Sequence, residues 1–412
     1  MTDTLSAPSE ADSRYAWTRL FISLIVSTIG GIGLWSSVVV LPVIEAEFGI
    51  DRGGASFPYM ATMIGFAAGG IFMGRLVDRF GIAVPVAIAA VMLGAGYILS
   101  AFATELWMFV ACQALLIGML GSSATFAPMV ADTSHWFLKH RGIAVAIVAS
   151  GNYLSGTVWP PILQESIAIM GWRDTHIWVG IFCIATMIPL SMLLRRRPQI
   201  DQGHAPVARR AAAGPAPASP TALLTILALA GIACCVAMSM PQVHIIAYCG
   251  DLGYGPAVGA EMLSLMLGLG IVSRLASGVI ADRIGGIGTL ILGSTLQCLA
   301  LIFYLPFDGL VSLYLVSALF GLSQGGIVPS YALIVREYFP ARQAGTRVSI
   351  VLMATVFGMA LGGWMSGEVY DLTGSYEAAF LNGILWNLFN MAIAAWLLFS
   401  RFRSGRRGLA AA

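Results

Sequence analysis

Arg274 is the residue in this chain whose position asks most directly for a chemical role. It lies within GLGIVSRLASGVIADRIGG, residues 268–286, an apolar and glycine-rich run. A charge inside a membrane-length segment costs about 2.5–3.5 kcal/mol even on the gentlest scale, so it faces protein, water or a ligand. A guanidinium forks bidentately onto a carboxylate and stays charged without a coupling proton, so the chemistry on offer is recognition of an anion. A second reading is that Arg274, about 9 Å from a helix end near Ile280, leans out toward that end. The other candidate is His244, in the run Pro241-Gln242-Val243-His244-Ile245-Ile246-Ala247-Tyr248. Histidine is the side chain whose unperturbed pKa lies near neutrality. A proton-carrying role and simple hydrogen-bonded packing both fit it.

The elements that must hold these residues come in two copies. Gly278-Val279-Ile280-Ala281-Asp282-Arg283-Ile284-Gly285 repeats Gly74-Arg75-Leu76-Val77-Asp78-Arg79-Phe80-Gly81, and 278 − 74 = 204. Gly142 is answered by Gly345 and Gly171 by Gly374, at an offset of 203. One register across two halves indicates parallel repeats.

The chain has 412 residues, 58% hydrophobic and only 10% charged, with a mean hydropathy of +0.85. An average soluble protein has about 25% charged residues, so this is a membrane protein. Twelve apolar runs stand out: 18–44, 56–74, 82–102, 104–131, 143–168, 174–194, 221–248, 259–281, 286–305, 309–336, 347–370 and 376–400. Each reaches the ~20 residues a helix needs to cross the bilayer, and none alternates like a barrel strand. The expected fold is all-α, with twelve spans in two six-helix bundles at 18–194 and 221–400. A cytoplasmic tail precedes them at 1–17 and another follows at 401–412, with a Pro/Ala/Arg-rich linker at 195–220.

Of the 22 Lys and Arg residues, only Arg52 and Arg173 fall in the loops opposite the N-terminus, and Arg274 lies in a span. The rest gather at the N-terminal side, which predicts cytoplasmic termini. Their place at helix ends is topogenic and gives no reason to expect nucleic acid as a partner; the lipid bilayer is the expected one. Six cysteines show neither metal nor disulfide spacing.

Further polar residues punctuate the spans. Trp35 follows Gly30-Gly31-Ile32-Gly33 in the first. The fifth carries Asn152, Ser155, Gly156 and Trp159 on one face, and the tenth carries Ser317, Gly321, Gln324, Val328 and Tyr331. Packing and cavity lining are both open for the glycines. An interhelical bond and substrate contact are both open for Asn152.

GRLVDRFG, seen twice in a twelve-span chain, resembles the signature loop of the major facilitator superfamily. The resemblance implies that Gly74, Asp78, Arg79, Gly278, Asp282 and Arg283 form a conformational latch rather than a substrate site. Trp136-Phe137-Leu138-Lys139-His140-Arg141-Gly142, running on to Gly151, is similar to the fifth-helix signature of the monocarboxylate-transporter family. The string from Pro241 to Tyr248 is similar to that family's seventh helix. An arginine eight residues before the second latch aspartate matches the family residue that binds the substrate carboxylate, which is Arg274 here.

Two departures matter. The acid expected before a glycine in the first helix is replaced by Gly30, so a carboxylate proton relay is missing. The lysine of oxalate/formate exchangers is absent from the eleventh helix, which favours a monoanion. The expectation is a secondary transporter of a small organic monocarboxylate in a bacterial-type inner membrane, coupled to protons. Arg274, His244, Tyr248, Asn152, Gln324, Tyr331 and Trp35 are its expected substrate-binding residues. An organic-anion exchanger is the alternative within the class, and a non-transporting receptor outside it. No GxxxxGK[ST] is present, so neither ATP-driven pumping nor another enzymatic activity is expected, and no cofactor or metal.

Overall fold

The computed structural model describes residues 11–196 and 219–410. The linker expected over 195–220 and the outermost parts of both tails lie outside the described residues. Among the described residues, eleven helices are long and apolar enough to cross a membrane. They are α1 (Arg14–Val39), α2 (Arg52–Phe80), α3 (Ala83–Ala101), α4 (Leu106–His135), α5 (Arg141–Met170), α6 (Trp172–Leu193), α7 (Pro220–Asp251), Pro256–Phe303, α10 (Leu310–Tyr338), α11 (Gly345–Thr373) and α12 (Tyr376–Ser400). The 48-residue helix Pro256–Phe303 is two spans joined at a break, because Gly285 has φ 77° and ψ 173°. Its halves, 256–284 and 286–303, are α8 and α9, which makes twelve.

The duplication is written in the backbone. Left-handed glycines recur at Gly49 and Gly253 (253 − 49 = 204), Gly81 and Gly285 (285 − 81 = 204), and Gly171 and Gly374 (374 − 171 = 203). Each ends a helix where the chain must reverse, a conformation that only glycine adopts without strain. Starts are fixed by side-chain caps: Ser13 accepts from the Ala16 N–H, Asp51 from Gly54 and Ser219 from Ala222.

The helices outrun the apolar runs. The charged octapeptides 74–81 and 278–285 resemble a signature loop in the sequence, but both are helical up to Phe80 and Ile284. An apolar run stops at its first charge, whereas a helix stops where its backbone is broken, and that happens at Gly81 and Gly285. Arg274 therefore stands about 15 Å from the end of α8 rather than 9 Å. Within α4, residues Cys112–Gly121 widen into a π-helical stretch followed by a 3₁₀ turn at Ser122–Thr125. α2 packs tightly there, since a Cβ on Gly65 would stand 2.0 Å from the Ala114 carbonyl.

The spans alternate in direction, so both ends of each bundle can be named by the chain: a terminal end, near residues 14, 80, 141 and 284, and a distal end. At the terminal end Asp12 accepts hydrogen bonds from the backbone N–H groups of Leu138, Lys139 and His140 at 3.1, 2.9 and 3.2 Å. Burial acts to raise the Asp12 carboxyl, but these donors and the His140 ring outweigh it and hold it below the usual aspartate range. A lowered acid gives stability that is present above its unfolded pKa and lost as pH falls through the folded value. Asp12→Asn should therefore speed amide hydrogen exchange at 138–140 about fivefold at neutral pH, the equivalent of a ~1 kcal/mol capping contact. Unchanged exchange would mean that the segment holds the loop in some other way.

Candidate functional site

The two halves meet where α2 packs on α11 and α5 on α8. Arg274 projects across this second seam. Its Nη1 donates to the Ala149 carbonyl at 2.9 Å, and its guanidinium carbon lies 4.3 Å from the centroid of the Tyr153 ring. Its Nε is buried without a partner. The side chain thus reaches sideways into α5 of the other half. One carbonyl acceptor and an unpartnered, buried Nε leave the guanidinium with donors to spare for a second acceptor.

Tyr153 backs this arginine and leads to the next polar pair. Gly270, one turn before Arg274, is wedged between the Tyr153 ring and the Gln324 amide: a Cβ there would stand 2.9 Å from the first and 3.4 Å from the second. Gln324 Nε2 donates to the Met266 carbonyl at 3.1 Å, and Gln242 donates to Gln324 Oε1. The Met266 carbonyl can only accept, so it fixes both amide orientations and leaves Gln242 Oε1 as the buried acceptor without a partner.

Other expected residues take different places. The α5 stripe faces α1 and, at Gly156, α8 as well: a Cβ on Gly31 would meet Ser155, one on Gly156 would meet Leu267 of α8 and Trp35 of α1, and Trp159 Nε1 donates to the Thr28 carbonyl at 2.8 Å. Trp35 Nε1 donates to the Asn152 carbonyl at 3.2 Å, while Asn152 Oδ1 is buried without a partner. Tyr331 donates to Asn390 at 2.7 Å, and Asn390 to Ser294 at 2.8 Å, inside the C-terminal bundle.

His244 and Tyr248 belong to a separate layer. Counted along their helices, His244 is about 10 Å below the distal end and Arg274 about 27 Å below it. His244 Nε2 lies 2.7 Å from the Gly363 carbonyl and Nδ1 lies 3.2 Å from the Tyr376 hydroxyl. Tyr248 packs edge-on against Tyr376 and Phe380.

The residue at the centre of that layer is Arg52, which the sequence offers only as a loop cation. It is 7% exposed. Its Nε lies 2.6 Å from Glu45, its Nη1 and Nη2 lie 3.2 and 3.3 Å from the Asp251 carboxylate, and Nη1 donates to Tyr376 at 2.5 Å. The Arg52 and Gly53 N–H groups bond to Asp371. Asp251, Asp371 and Tyr376 come from α7, α11 and α12, so one arginine of the first half is gripped by three helices of the second.

At the terminal end the latch residues have no such partners. Asp78, Arg79, Asp282 and Arg283 are exposed, and a Cβ added to Gly74, Gly142, Gly278 or Gly345 would meet nothing within 4 Å. The cross-half ties are thus distal or midway, and the repeated segments border open space.

The comparisons agree with this architecture. The chain is 27% identical over 314 residues to monocarboxylate transporter 13 of Bos taurus, covering 74% of this chain and 71% of that protein. It is 24% identical over 326 residues to the MFS-type transporter opdF of Penicillium oxalicum, covering 78% and 75%. Among solved structures, a bacterial homologue of the human lysosomal transporter Spinster, in an inward-facing and unoccupied conformation, superposes with a TM-score of 0.71 at 13% identity, covering 96% of this chain and 98% of that one. The family profile of the Major Facilitator Superfamily matches residues 23–346. Twelve spans in two repeated halves and a profile that covers most of the chain place it in one family: it belongs to the Major Facilitator Superfamily.

Proposed function

We propose that this transporter moves a small organic monocarboxylate by alternating access, in symport with a proton, across a bacterial-type inner membrane with both termini in the cytoplasm. The observation that carries the reading is Arg274, a cation deep in α8 that crosses to the other half with an unpartnered Nε. A carboxylate replacing the Ala149 carbonyl satisfies the fork and neutralises the charge in one step. α11 presents no charged residue between Arg347 and Glu368, so no second cation on that helix meets a dianion. The named similarity to a monocarboxylate transporter points the same way.

Arg274 touches α5 and sits on α8, so ligand bound there reports to both halves. Rocking about the site closes the terminal end, and the repeated segments then supply its surface. Asp78 and Asp282 are the latch in this reading, and the empty space above Gly74 and Gly278 is what the opposite half fills. Replacing either aspartate with Asn should slow transport while leaving substrate affinity within a few-fold. A loss of affinity at normal turnover would contradict the latch.

Proton coupling is tested by uptake into proteoliposomes under an imposed pH gradient, acidic outside. Accumulation of a labelled monocarboxylate above equilibrium, collapsed by a protonophore, is expected. Accumulation indifferent to the gradient would rule out symport.

A further inference from the structure

The layer around His244 does not touch the Arg274 site, yet its hydrogen bonds form one directed chain. The Gly363 carbonyl can only accept, so a neutral His244 carries its proton on Nε2 and presents a lone pair at Nδ1. The Tyr376 hydroxyl must then donate to Nδ1, and its oxygen accepts from Arg52 Nη1. The order runs from Arg52 through Tyr376 and His244 to Gly363, with every donor and acceptor fixed by the two ends.

We propose that Arg52 is the bolt of a gate at the distal end of the transporter, and that His244 is the proton sensor that releases it. A second proton on Nδ1 removes the acceptor that Tyr376 uses. The phenol then has two cationic donors on its oxygen and no partner for its own hydrogen. The carboxylates that grip Arg52 must also answer a second cation, so the grip on Arg52 loosens and the halves part at this end.

The groups facing His244 are few. They are Tyr248 and Asp251 on its own helix, Arg52 and Tyr59 on α2, Glu45 before α2, Glu368, Tyr370 and Asp371 on α11, Tyr376 and Glu377 at the start of α12, and, beside Tyr248, Asp308 before α10. Glu45 acts in the opposite sense. Burial pushes its carboxyl above the ordinary range despite Arg52 beside it, so acid taken up there favours the closed arrangement. Opening by acid is therefore assigned to His244. On the orientation proposed above, the distal end faces outward, so external protons open the external gate. The inference needs no particular substrate.

The test is pulse-dipolar electron resonance between spin labels on Thr104→Cys and Leu310→Cys. These exposed distal positions lie one on each half, in a background without native cysteines. In liposomes without substrate, a longer-distance population should appear and become the major one as pH falls from about 7.5 to about 5.5, the range over which an ordinary imidazole protonates. His244→Gln should abolish that opening, so that any remaining response is toward closure. Arg52→Gln should be open at both pH values. Tyr376→Phe keeps the Arg52 carboxylate contacts and breaks the relay, so it should lose the opening by acid, as His244→Gln does, while remaining folded. A distance distribution that ignores pH in the parent chain, or full opening retained in His244→Gln, overturns the proposal. Substrate plays no part in the measurement, so either result leaves the Arg274 reading intact.

Discussion

Arg274→Ala should abolish substrate binding, and Arg274→Lys should remain badly impaired. Removing one partner of a buried, charge-assisted pair costs roughly 3–5 kcal/mol, which is about a hundredfold or more in affinity at 1.4 kcal/mol per tenfold. Lysine keeps the charge but presents a compact ammonium in place of a planar fork, so the bidentate contact is lost. It also cannot stack its charge over the Tyr153 ring as a flat guanidinium does. An arginine that merely leaned toward a helix end would accept lysine almost freely. The structure already counts against that posture, because the side chain is directed across to Ala149 from about 15 Å inside α8. The measurement is binding of labelled substrate, or substrate-induced thermal stabilisation, in detergent, with each variant first shown to be folded. Near-native binding by the lysine variant would remove the main physical argument for an anionic substrate.

The largest effect on stability should come from Asp132. Its carboxylate takes Nε and Nη2 of Arg19 at 3.3 and 2.9 Å, while Arg19 Nη1 donates to the Leu194 carbonyl at 3.0 Å. Both side chains are at most 5% exposed, and the guanidinium lies over Trp136. This pair ties α1, α4 and α6 together at the terminal end of the first bundle. Asp132→Ala leaves an uncompensated buried cation and should cost about 3–5 kcal/mol, seen as a sharp fall in the apparent melting temperature in detergent. Replacing both partners together, Arg19→Met with Asp132→Leu, should recover most of the loss, since the desolvation cost goes with the charges. A single variant as stable as the parent would show that water or lipid headgroups reach Arg19 and take the place of the carboxylate.

The residues that were legible in the sequence are those whose role is local. Length, charge and glycine spacing gave the spans and their repeat, and the glycines at 81 and 285 end their helices as the register requires. Arg274 was legible because a charge in an apolar run is conspicuous whatever surrounds it. Partnership was not legible. Arg52 reads as an ordinary loop cation because Asp251, Asp371 and Tyr376 are brought to it from the other half only by folding. The stripe on α5 shows a polar face but not which neighbours it meets, and these are α1 and, at Gly156, α8. His244 and Arg274 look like one site when both are simply polar residues in spans. Their depths, about 10 and 27 Å from the distal end, separate them into two layers, the proposed gate and the proposed binding site.

Those two layers make the account of function specific. A carboxylate site at Arg274 between two rocking halves requires exchange of like substrate without any driving gradient. The direct measurement is counterflow in proteoliposomes loaded with unlabelled compound, using labelled monocarboxylates, dicarboxylates and neutral sugars outside. The account predicts transient accumulation for one or more small monocarboxylates, weak or no exchange for dicarboxylates, none for sugars, and loss of all of it in Arg274→Ala. Counterflow of a neutral sugar that persists in Arg274→Ala would contradict it.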